Sequence, residues 1–293
     1  MPIGFDWVDA FTAQPFAGNG CAVIHDADGL PDDLCMAITR ETGLVECTFL
    51  CASDRADVRI RYFMANREIP FAGHPTVASV TSLYDRGLVS EGDLTVETGA
   101  GVVPVRIETG AKGVWVSMVQ NAPDFGPYVP EARIAALIGL PERSIAAPPR
   151  VVSTGLPFVV TLLDGQESLA AARLDAADMQ RFQGEIDYPD PLMEPFLVTL
   201  GGATPEGDTF SRLLLAPPLP PEDPFTGSAT GAMAAYLWSE GLIDQPAFIA
   251  EQGHWMNRPG QARVEVLGPR DAITGVRVAG QGYVLMRGFL NLG

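Results

Sequence analysis

The segment PFAGHPTVASVTSLYDRGLVSEGDLTVETG at residues 70–99 is echoed by PFTGSATGAMAAYLWSEGLIDQPAFIAEQG at residues 224–253. The two segments align without a gap at an offset of 154 residues, and 10 of the 30 aligned positions are identical. The identities fall on a Pro-Phe-x-Gly turn, a helix-like run of small residues, the glycine that ends this run, and a Glu-x-Gly after a short strand. An internal repeat of this kind indicates a duplicated architecture. We therefore predict two related lobes that face each other and form a cleft.

The length and composition are those of a two-domain globular protein. The chain has 293 residues, of which 47% are hydrophobic, and this is enough for two cores. Its start, MPIGFDWVDAFT, carries Asp6 and Asp9 where a signal peptide needs positive charge, and no run of about 18 apolar residues occurs in the chain. We expect a cytoplasmic protein without a membrane-spanning segment.

Charge and cysteine content argue against several classes of partner. The formal net charge of −17 opposes binding to nucleic acid and to anionic membranes, because phosphate contacts need an excess of Lys and Arg. The four cysteines all lie in the first 51 residues and have no metal-ligand spacing relative to the three histidines. We expect reduced thiols and no bound metal. Local backbone dipoles would have to bind any anionic ligand.

Short strands dominate the predicted secondary structure. The 31 glycines and 25 prolines break the chain into short segments, several of them rich in β-branched and aromatic residues. An early helix is predicted from Pro31 to about Thr42, with Pro31 at its first position and Gly43 as its cap, and another over 130–140. The predicted strands are Val8–Thr12, Cys21–Asp26, Glu46–Cys51, Val58–Phe63, Asp93–Thr98 and Val102–Glu108.

Each repeat also predicts one central helix. The segments Thr76–Arg86 and Thr230–Glu240 carry small and apolar residues on every face, which is typical of a helix surrounded by protein. Gly87 and Gly241 are expected to end these helices in the left-handed conformation. Short strands flank both helices. We therefore predict an α+β fold of two similar lobes, each a curved mixed β-sheet wrapped around a central α-helix.

The boundary between the lobes is predicted where Pro, Gly and Asp cluster, at residues 120–133. This places an N-terminal lobe at residues 1–120 and a C-terminal lobe at residues 121–280. The strand-like tail at residues 275–292 leaves open whether residues 281–293 complete the first lobe.

Both Pro-Phe-x-Gly turns lead into the N-terminus of a helix. Unpaired backbone N–H groups and the helix dipole favour an anion at such a position. We predict that the turns at Gly73 and Gly227 bind a carboxylate of a small ligand. The competing interpretation is ordinary helix capping by Thr76, Ser228 or Thr230.

The two repeats differ at polar positions next to the shared turn. The residue after the shared glycine is His74 in the first repeat and Ser228 in the second, and Asp223 directly precedes the second turn. His74 can donate, accept or change charge near neutral pH, and Asp223 can orient an amine or a hydroxyl. Alternatively, His74 and Asp223 are turn residues that satisfy local backbone groups.

Two further candidates lie outside the repeat. Glu46 stands among apolar neighbours in GLVECTF, where a carboxyl group can have a raised pKa that suits proton transfer. A third turn of the same kind, PFAGNG at residues 15–20, is expected to bring Asn19 to the same cleft as a substrate-binding residue. The alternative for Glu46 is the solvent-facing side of a strand.

The sequence resembles the PhzF family of phenazine-biosynthesis-like isomerases. The resemblance covers nearly the whole chain, and the stretch from Glu222 to Ala229 is highly specific. It implies a fold related to diaminopimelate epimerase, with two lobes of duplicated origin, the active site between them, and a homodimer. The stretches that carry it are DAFTAQPFAGNGCAV (9–23), ECTF (46–49), RYFMANREIPFAGHPT (61–76), STGLPF (153–158), EDPFTGSATGAMAAYL (222–237) and EQGHWMNRP (251–259).

The resemblance implies proton transfer without a cofactor. Glu46 would remove a proton from one carbon and return it to another, while His74, Asp223 and Ser228 would orient the substrate and assist proton movement. The founding member isomerises a dihydro-hydroxyanthranilate, so the implied substrate is a small, cyclic, carboxylate-bearing molecule. The chain departs from the family where Gly20 and Cys21 replace Pro-Ala, Ala65 replaces Pro, and Ala72 replaces Cys, which leaves the substrate open.

Three other functions were weighed. A two-cysteine epimerase would need a thiol in each matched loop, and residues 72–74 and 226–228 contain none. A serine hydrolase would use Ser228, His74 and Asp223, although GSATG is not the G-x-S-x-G elbow. A non-catalytic binding protein could keep the fold alone, and the presence of all four polar candidates argues against it.

Overall fold

The computed structural model describes residues 2–110, 113–217 and 219–292. A few helices are interspersed among runs of strands, and the strand pairing is partly parallel and partly antiparallel, which confirms the predicted α+β class. Among the helices of these residues, none is long and apolar enough to cross a membrane.

The chain divides into two compact units. The first comprises Met1–Met118 and Ala279–Gly293, and the second comprises Val119–Val278. Both boundaries lie two residues before those of the predicted lobes, whose independence as domains stays a prediction. The C-terminal tail does reach the first unit, because residues 282–290 pair antiparallel with Ile3–Ala10.

The described residues of the first unit contain a strand at each of the six predicted N-terminal positions and two α-helices. The helices are α1 (Asp32–Thr42) and α2 (Gly73–Asp85). The strands are β1 (Ile3–Ala10), β2 (Asn19–Ile24), β3 (Cys47–Cys51), β4 (Val58–Phe63), β5 (Glu68–Ile69), β6 (Gly92–Thr98), β7 (Gly101–Gly110) and β8 (Gly113–Gln120), the last of which runs two residues into the second unit.

In the part of the second unit that the structure describes there are four α-helices, and its last strand continues into the first unit. The helices are α3 (Glu131–Leu137), α4 (Gln166–Ala171), α5 (Ala176–Glu185) and α6 (Gly227–Ser239). The strands are β9 (Asp124–Tyr128), β10 (Arg150–Ser153), β11 (Pro157–Leu162), β12 (Phe196–Leu200), β13 (Thr209–Leu214), β14 (Glu222–Asp223), β15 (Ala247–Gln252), β16 (Gly260–Leu267) and β17 (Gly275–Leu290).

The two units share one order of strand pairing. In the first, the parallel pair β2–β3 is connected through α1, and the parallel pair β4–β6 through α2. In the second, the parallel pair β11–β12 is connected through α4 and α5, and the parallel pair β13–β15 through α6. The intervening pairs β3–β4 and β12–β13 are antiparallel. The duplication therefore covers far more of each unit than the 30 residues visible in the sequence.

The helices α2 and α6 are the buried central helices. Residues 73–83 of α2 and 229–237 of α6 are buried. Within its own unit, α2 packs against β1, β2, β3 and β4, and α6 packs against β10, β11, β12 and β16. Small residues on every face allow strands to approach each helix closely, as the sequence predicts.

The central helices begin three residues earlier than predicted. They start at Gly73 and Gly227, because the shared turn enters the helix directly, and the first helical turn tolerates Pro75 without its N–H. Their ends confirm the prediction, since Gly87 and Gly241 have φ angles of 70° and 69°.

A matched pair of arginine–glutamate ion pairs supports the turn in each unit. Arg61 of β4 binds Glu68 of β5 with distances of 2.9 and 2.8 Å. Arg212 of β13 binds Glu222 of β14 with distances of 2.9 and 2.7 Å. Each pair fastens the short strand that leads into the Pro-Phe-x-Gly turn, so the turn and the helix start behind it have a fixed position.

The glutamate of the shared Glu-x-Gly motif also has a matched role. Glu97 accepts a hydrogen bond from Ser53 Oγ at 2.5 Å, and Glu251 accepts one from Thr204 Oγ1 at 2.6 Å. Ser53 and Thr204 lie in corresponding loops between antiparallel strands. The motif therefore stabilises the sheet of each unit.

Several local predictions were wrong. Pro31 precedes α1 as its N-cap instead of occupying the first helical position. Strand β1 ends at Ala10, before predicted Thr12, because Phe11 has a φ of 62° that no strand accommodates. The helices α4 and α5 were not predicted.

Candidate functional site

Glu46, His74 and Asn19 come together in the first unit. Strands β2 and β3 are parallel, with Ala22 opposite Cys47, so the residues before their paired segments lie side by side. Asn19 begins β2, and Glu46 directly precedes β3. His74 is the second residue of α2, which packs against both strands. The topology of one unit thus assembles three residues that are far apart in the sequence.

The distances in this group centre on Nδ1 of His74. Nδ2 of Asn19 lies 3.3 Å from Nδ1, within hydrogen-bonding range. Oε2 of Glu46 lies 3.8 Å from the same nitrogen, which is close but beyond a hydrogen bond. The Glu46 side chain keeps 16% of its surface exposed, so its carboxyl group remains accessible.

His74 is buried and neutral. Its relative exposure is 6%, and burial lowers the pKa of the imidazole to about 3, because desolvation penalises the charged form. Nε2 is buried and makes no hydrogen bond to any residue within the described ranges. At neutral pH the ring therefore carries one proton, on one of its two nitrogens.

The start of α2 has no side-chain cap. Its N-cap residue is Ala72, which has no polar side chain. Thr76 instead donates its hydroxyl hydrogen to the Ala72 carbonyl at 2.7 Å. In the same way Thr230 donates to the carbonyl of Thr226 at 2.9 Å in α6. Capping by these two threonines, the competing interpretation from the sequence, is therefore wrong.

Asp223 belongs to a buried network at the start of α6. Oδ2 of Asp223 accepts the hydroxyl hydrogen of Thr226 at 2.5 Å. The side chain of Gln252 accepts the Thr226 N–H at 3.0 Å and donates to the Asp223 carbonyl at 2.8 Å. Asp223 is 7% exposed, and the buried hydroxyl of Thr226 fixes one oxygen of its carboxylate.

Sequence reasoning missed Thr226 and Gln252. A signal was present in the aligned repeats, because the first repeat has Ala72 and Thr98 at these positions, and only the second can build the network. The polar network therefore belongs to one unit alone, although the helix it adjoins is duplicated.

Gly227 and Ser228 form the first turn of α6. Ser228 is partly exposed, whereas Gly227 is buried. The Gly227 carbonyl accepts a hydrogen bond from Nε2 of Gln120 at 2.9 Å. Gln120 in turn accepts the hydroxyl hydrogen of Thr154 at 2.6 Å, which fixes the amide. This helix start is thus held by side chains of its own unit.

Comparison with known proteins identifies the family. The family model described as phenazine biosynthesis-like protein, PhzC-PhzF, matches residues 8–288. The chain belongs to this family. It is 30% identical over 286 residues to the trans-2,3-dihydro-3-hydroxyanthranilate isomerase of Pseudomonas aeruginosa, with 96% of each chain covered. It is also 30% identical to the uncharacterized isomerase YfhB of Bacillus subtilis, with 88% of each chain covered.

Solved structures support the same assignment. A PhzF-family protein of Bacillus anthracis is 27% identical and has a TM-score of 0.89, with all of both chains covered. A hydroxyproline epimerase from Agrobacterium vitis is 14% identical with a TM-score of 0.64, over 99% of this chain and 93% of that one, and shows likeness of fold alone. The predicted family and its epimerase-like fold are confirmed, and the chain is an isomerase.

Proposed function

We propose that this isomerase moves a proton between two carbons of a small, cyclic, carboxylate-bearing substrate without a cofactor, and that Glu46 is its acid and base. The observation that carries the proposal is the position of Glu46, whose accessible carboxyl group stands 3.8 Å from a buried, neutral His74. A carboxylate takes a proton from a carbon acid only if another group stabilises the charge that develops on the substrate. Glu46 and His74 supply these two parts.

The start of α2 supplies a place for the substrate carboxylate. The helix has 13 residues, and its first N–H groups, at Gly73 and His74, have no partner within the helix. The positive end of the helix dipole favours an anion there. A carboxylate bound at Gly73 would lie beside His74 and within reach of Glu46, so the reacting carbon would stand next to the base.

We also propose roles for three residues of the second unit. Asp223, held by Thr226, can accept a hydrogen bond from an amine or hydroxyl of the substrate, and Ser228 can donate or accept one. The backbone N–H groups at Gly227 offer a second anion site at the start of α6. We assign Asp223, Ser228 and Gly227 to substrate orientation.

Similarity to the Pseudomonas aeruginosa enzyme suggests the first substrate to test. The name of that enzyme specifies trans-2,3-dihydro-3-hydroxyanthranilate, a cyclic amino acid with a carboxylate and an acidic C–H. We propose a substrate of this class. A homodimer in the cytoplasm stays part of the proposal, and sedimentation of the purified protein tests the dimer.

Deuterium exchange tests the base directly. In D₂O, the wild-type protein should introduce deuterium into trans-2,3-dihydro-3-hydroxyanthranilate or a related cyclic amino acid, as read by NMR. Glu46→Gln should abolish exchange, because an amide cannot accept the proton. Glu41→Gln removes an exposed carboxylate from α1 and is the matched control. Unchanged exchange in Glu46→Gln would show that Glu46 is not the base.

The hydrolase alternative has a separate test. Two of its three proposed members have another partner within their own unit: Thr226 for Asp223, and Asn19 for His74. A fluorophosphonate probe labels an activated serine. Labelling of Ser228 that disappears in Ser228→Ala would favour the hydrolase, and exchange without labelling favours the isomerase.

A further inference from the structure

The two ring nitrogens of His74 have unequal surroundings. Nδ1 lies 3.3 Å from Nδ2 of Asn19, whereas Nε2 is buried and has no hydrogen-bond partner among the residues that the structure describes. A neutral imidazole has one N–H and one lone pair, and the partner of one nitrogen decides which nitrogen holds the hydrogen.

Asn19 presents a donor to Nδ1. An amide NH₂ group donates and cannot accept, so Nδ1 must accept, and the single hydrogen of the ring lies on Nε2. Glu46 is the titratable group that faces the same nitrogen, and at 3.8 Å it stands too far away to replace Asn19 as a hydrogen-bond partner. The position of His74 at the positive end of α2 further disfavours an imidazolium ion.

The hydrogen on Nε2 then needs an acceptor. A buried N–H without an acceptor is destabilising, and such a group in a native structure calls for a functional explanation. We propose that Asn19 fixes His74 as the Nε2–H tautomer and that this N–H donates to an oxygen of the bound substrate, while His74 itself transfers no proton.

This inference rests on the proposed function and assigns each part of the proton shift. Glu46 accepts the proton as the C–H bond breaks, and the electron pair of that bond delocalises toward a substrate oxygen. The His74 N–H stabilises the negative charge on this oxygen. Glu46, whose carboxyl group exchanges its proton with solvent, then delivers a proton to another carbon, and the electron pair returns from the oxygen side into the new C–H bond. Asn19 is a positioning residue, because it acts through His74.

The tautomer can be read without turnover. Histidine labelled with ¹⁵N and long-range ¹H–¹⁵N correlation at pH 7 should show a pyrrole-like Nε2 and a pyridine-like Nδ1 for His74, assigned by loss of the signals in His74→Gln. Asn19→Asp should reverse the pattern, because a carboxylate at this position accepts a hydrogen from Nδ1. A pyrrole-like Nδ1 or an imidazolium in the wild-type protein would overturn the proposal.

Two substitutions separate donation from proton transfer. In glutamine, the side-chain amide nitrogen can occupy the position of the imidazole Nε2. In the shorter asparagine, the amide nitrogen lies closer to the position of the imidazole Nδ1. We expect His74→Gln to keep exchange within about tenfold of wild type and His74→Asn to lose about 100-fold, the scale of one lost oxyanion donor. Equal losses in both variants would overturn the donor role. Unchanged exchange in Glu46→Gln, with the expected tautomer, would instead refute the proposed function alone.

Discussion

Thr226 donates its hydroxyl hydrogen to Asp223 across 2.5 Å, and both residues are buried. Replacing Thr226 with Val keeps the shape but leaves Oδ2 of Asp223 without this donor. We expect the free energy of unfolding to fall by about 1–3 kcal/mol, because a hydrogen bond to a buried carboxylate is lost. Exchange into the substrate should slow about tenfold, because Asp223 loses its fixed direction.

Urea unfolding and deuterium exchange measure the two effects. Thr226→Ser keeps the hydroxyl and should retain most of both properties. Equal damage from Val and Ser would mean that the methyl group, and not the hydrogen bond to Asp223, matters at this position.

We expect removal of the arginine–glutamate ion pair to lower the free energy of unfolding more in the second unit than in the first. The side chains of Arg212 and Glu222 are each 12% exposed, whereas Glu68, the partner of Arg61, is 38% exposed. Glu222→Gln should therefore lower the free energy of unfolding by about 3 kcal/mol, because it leaves a largely buried guanidinium without its counter-charge. Glu68→Gln should cost about 1 kcal/mol or less, as for exposed pairs. Urea unfolding of both variants checks the order, and equal losses would contradict it.

For the substitution Gly231→Ala in α6, we expect the destabilisation from steric overlap to exceed the stabilisation from the higher helix propensity of alanine. A Cβ at this position would overlap Oε1 of Gln120, whose amide also binds the Gly227 carbonyl. Gly231→Ala should therefore destabilise the protein by about 1–3 kcal/mol, although alanine favours a helix by about 1 kcal/mol. Gly184→Ala in α5 meets no atom within 4 Å and should stabilise by up to about 1 kcal/mol. Thermal unfolding compares the two, and stabilisation by both would show that Gln120 moves aside freely.

The sequence predicted the repeat but only part of its extent. Arg61 and Arg212 are structurally equivalent, as are Ser53 and Thr204, yet their offset is 151 residues instead of 154. The connection between β13 and β14 is three residues longer than that between β4 and β5, so an ungapped alignment loses these pairs. The ungapped alignment detects only the turns and the central helices. These elements depend on local backbone conformation, which single residues such as Pro and Gly indicate.

The contacts of the candidate site were less predictable than its members. The sequence points to Asn19 and Glu46 individually, but not to their proximity. They lie near each other because β2 and β3 pair in parallel, and both approach Nδ1 of His74 because α2 packs against these strands. Such pairing brings distant residues together and leaves no pattern of spacing in the sequence. For Gln252, the aligned repeats show that the position differs, but they do not show its contact with Thr226, because β15 and the turn before α6 meet only in the folded unit.

The buried His74 predicts a stability that depends on pH. The pKa of His74 is about 3 in the folded protein and about 6.5 in the unfolded chain. Above pH 6.5 the ring is neutral in both states, so its titration does not lower the free energy of unfolding. As the pH falls, the unfolded chain binds a proton that the folded protein does not, and stability falls by about 1.4 kcal/mol per pH unit until the pH nears 3. Between pH 6.5 and 4.5, wild type should therefore lose about 2–3 kcal/mol more than His74→Gln, whose side chain does not titrate. Urea unfolding at both pH values gives this difference directly, and since His25 titrates in both proteins its contribution cancels. Parallel losses in the two proteins would mean that His74 becomes protonated in the folded state, and it would then be available as an acid.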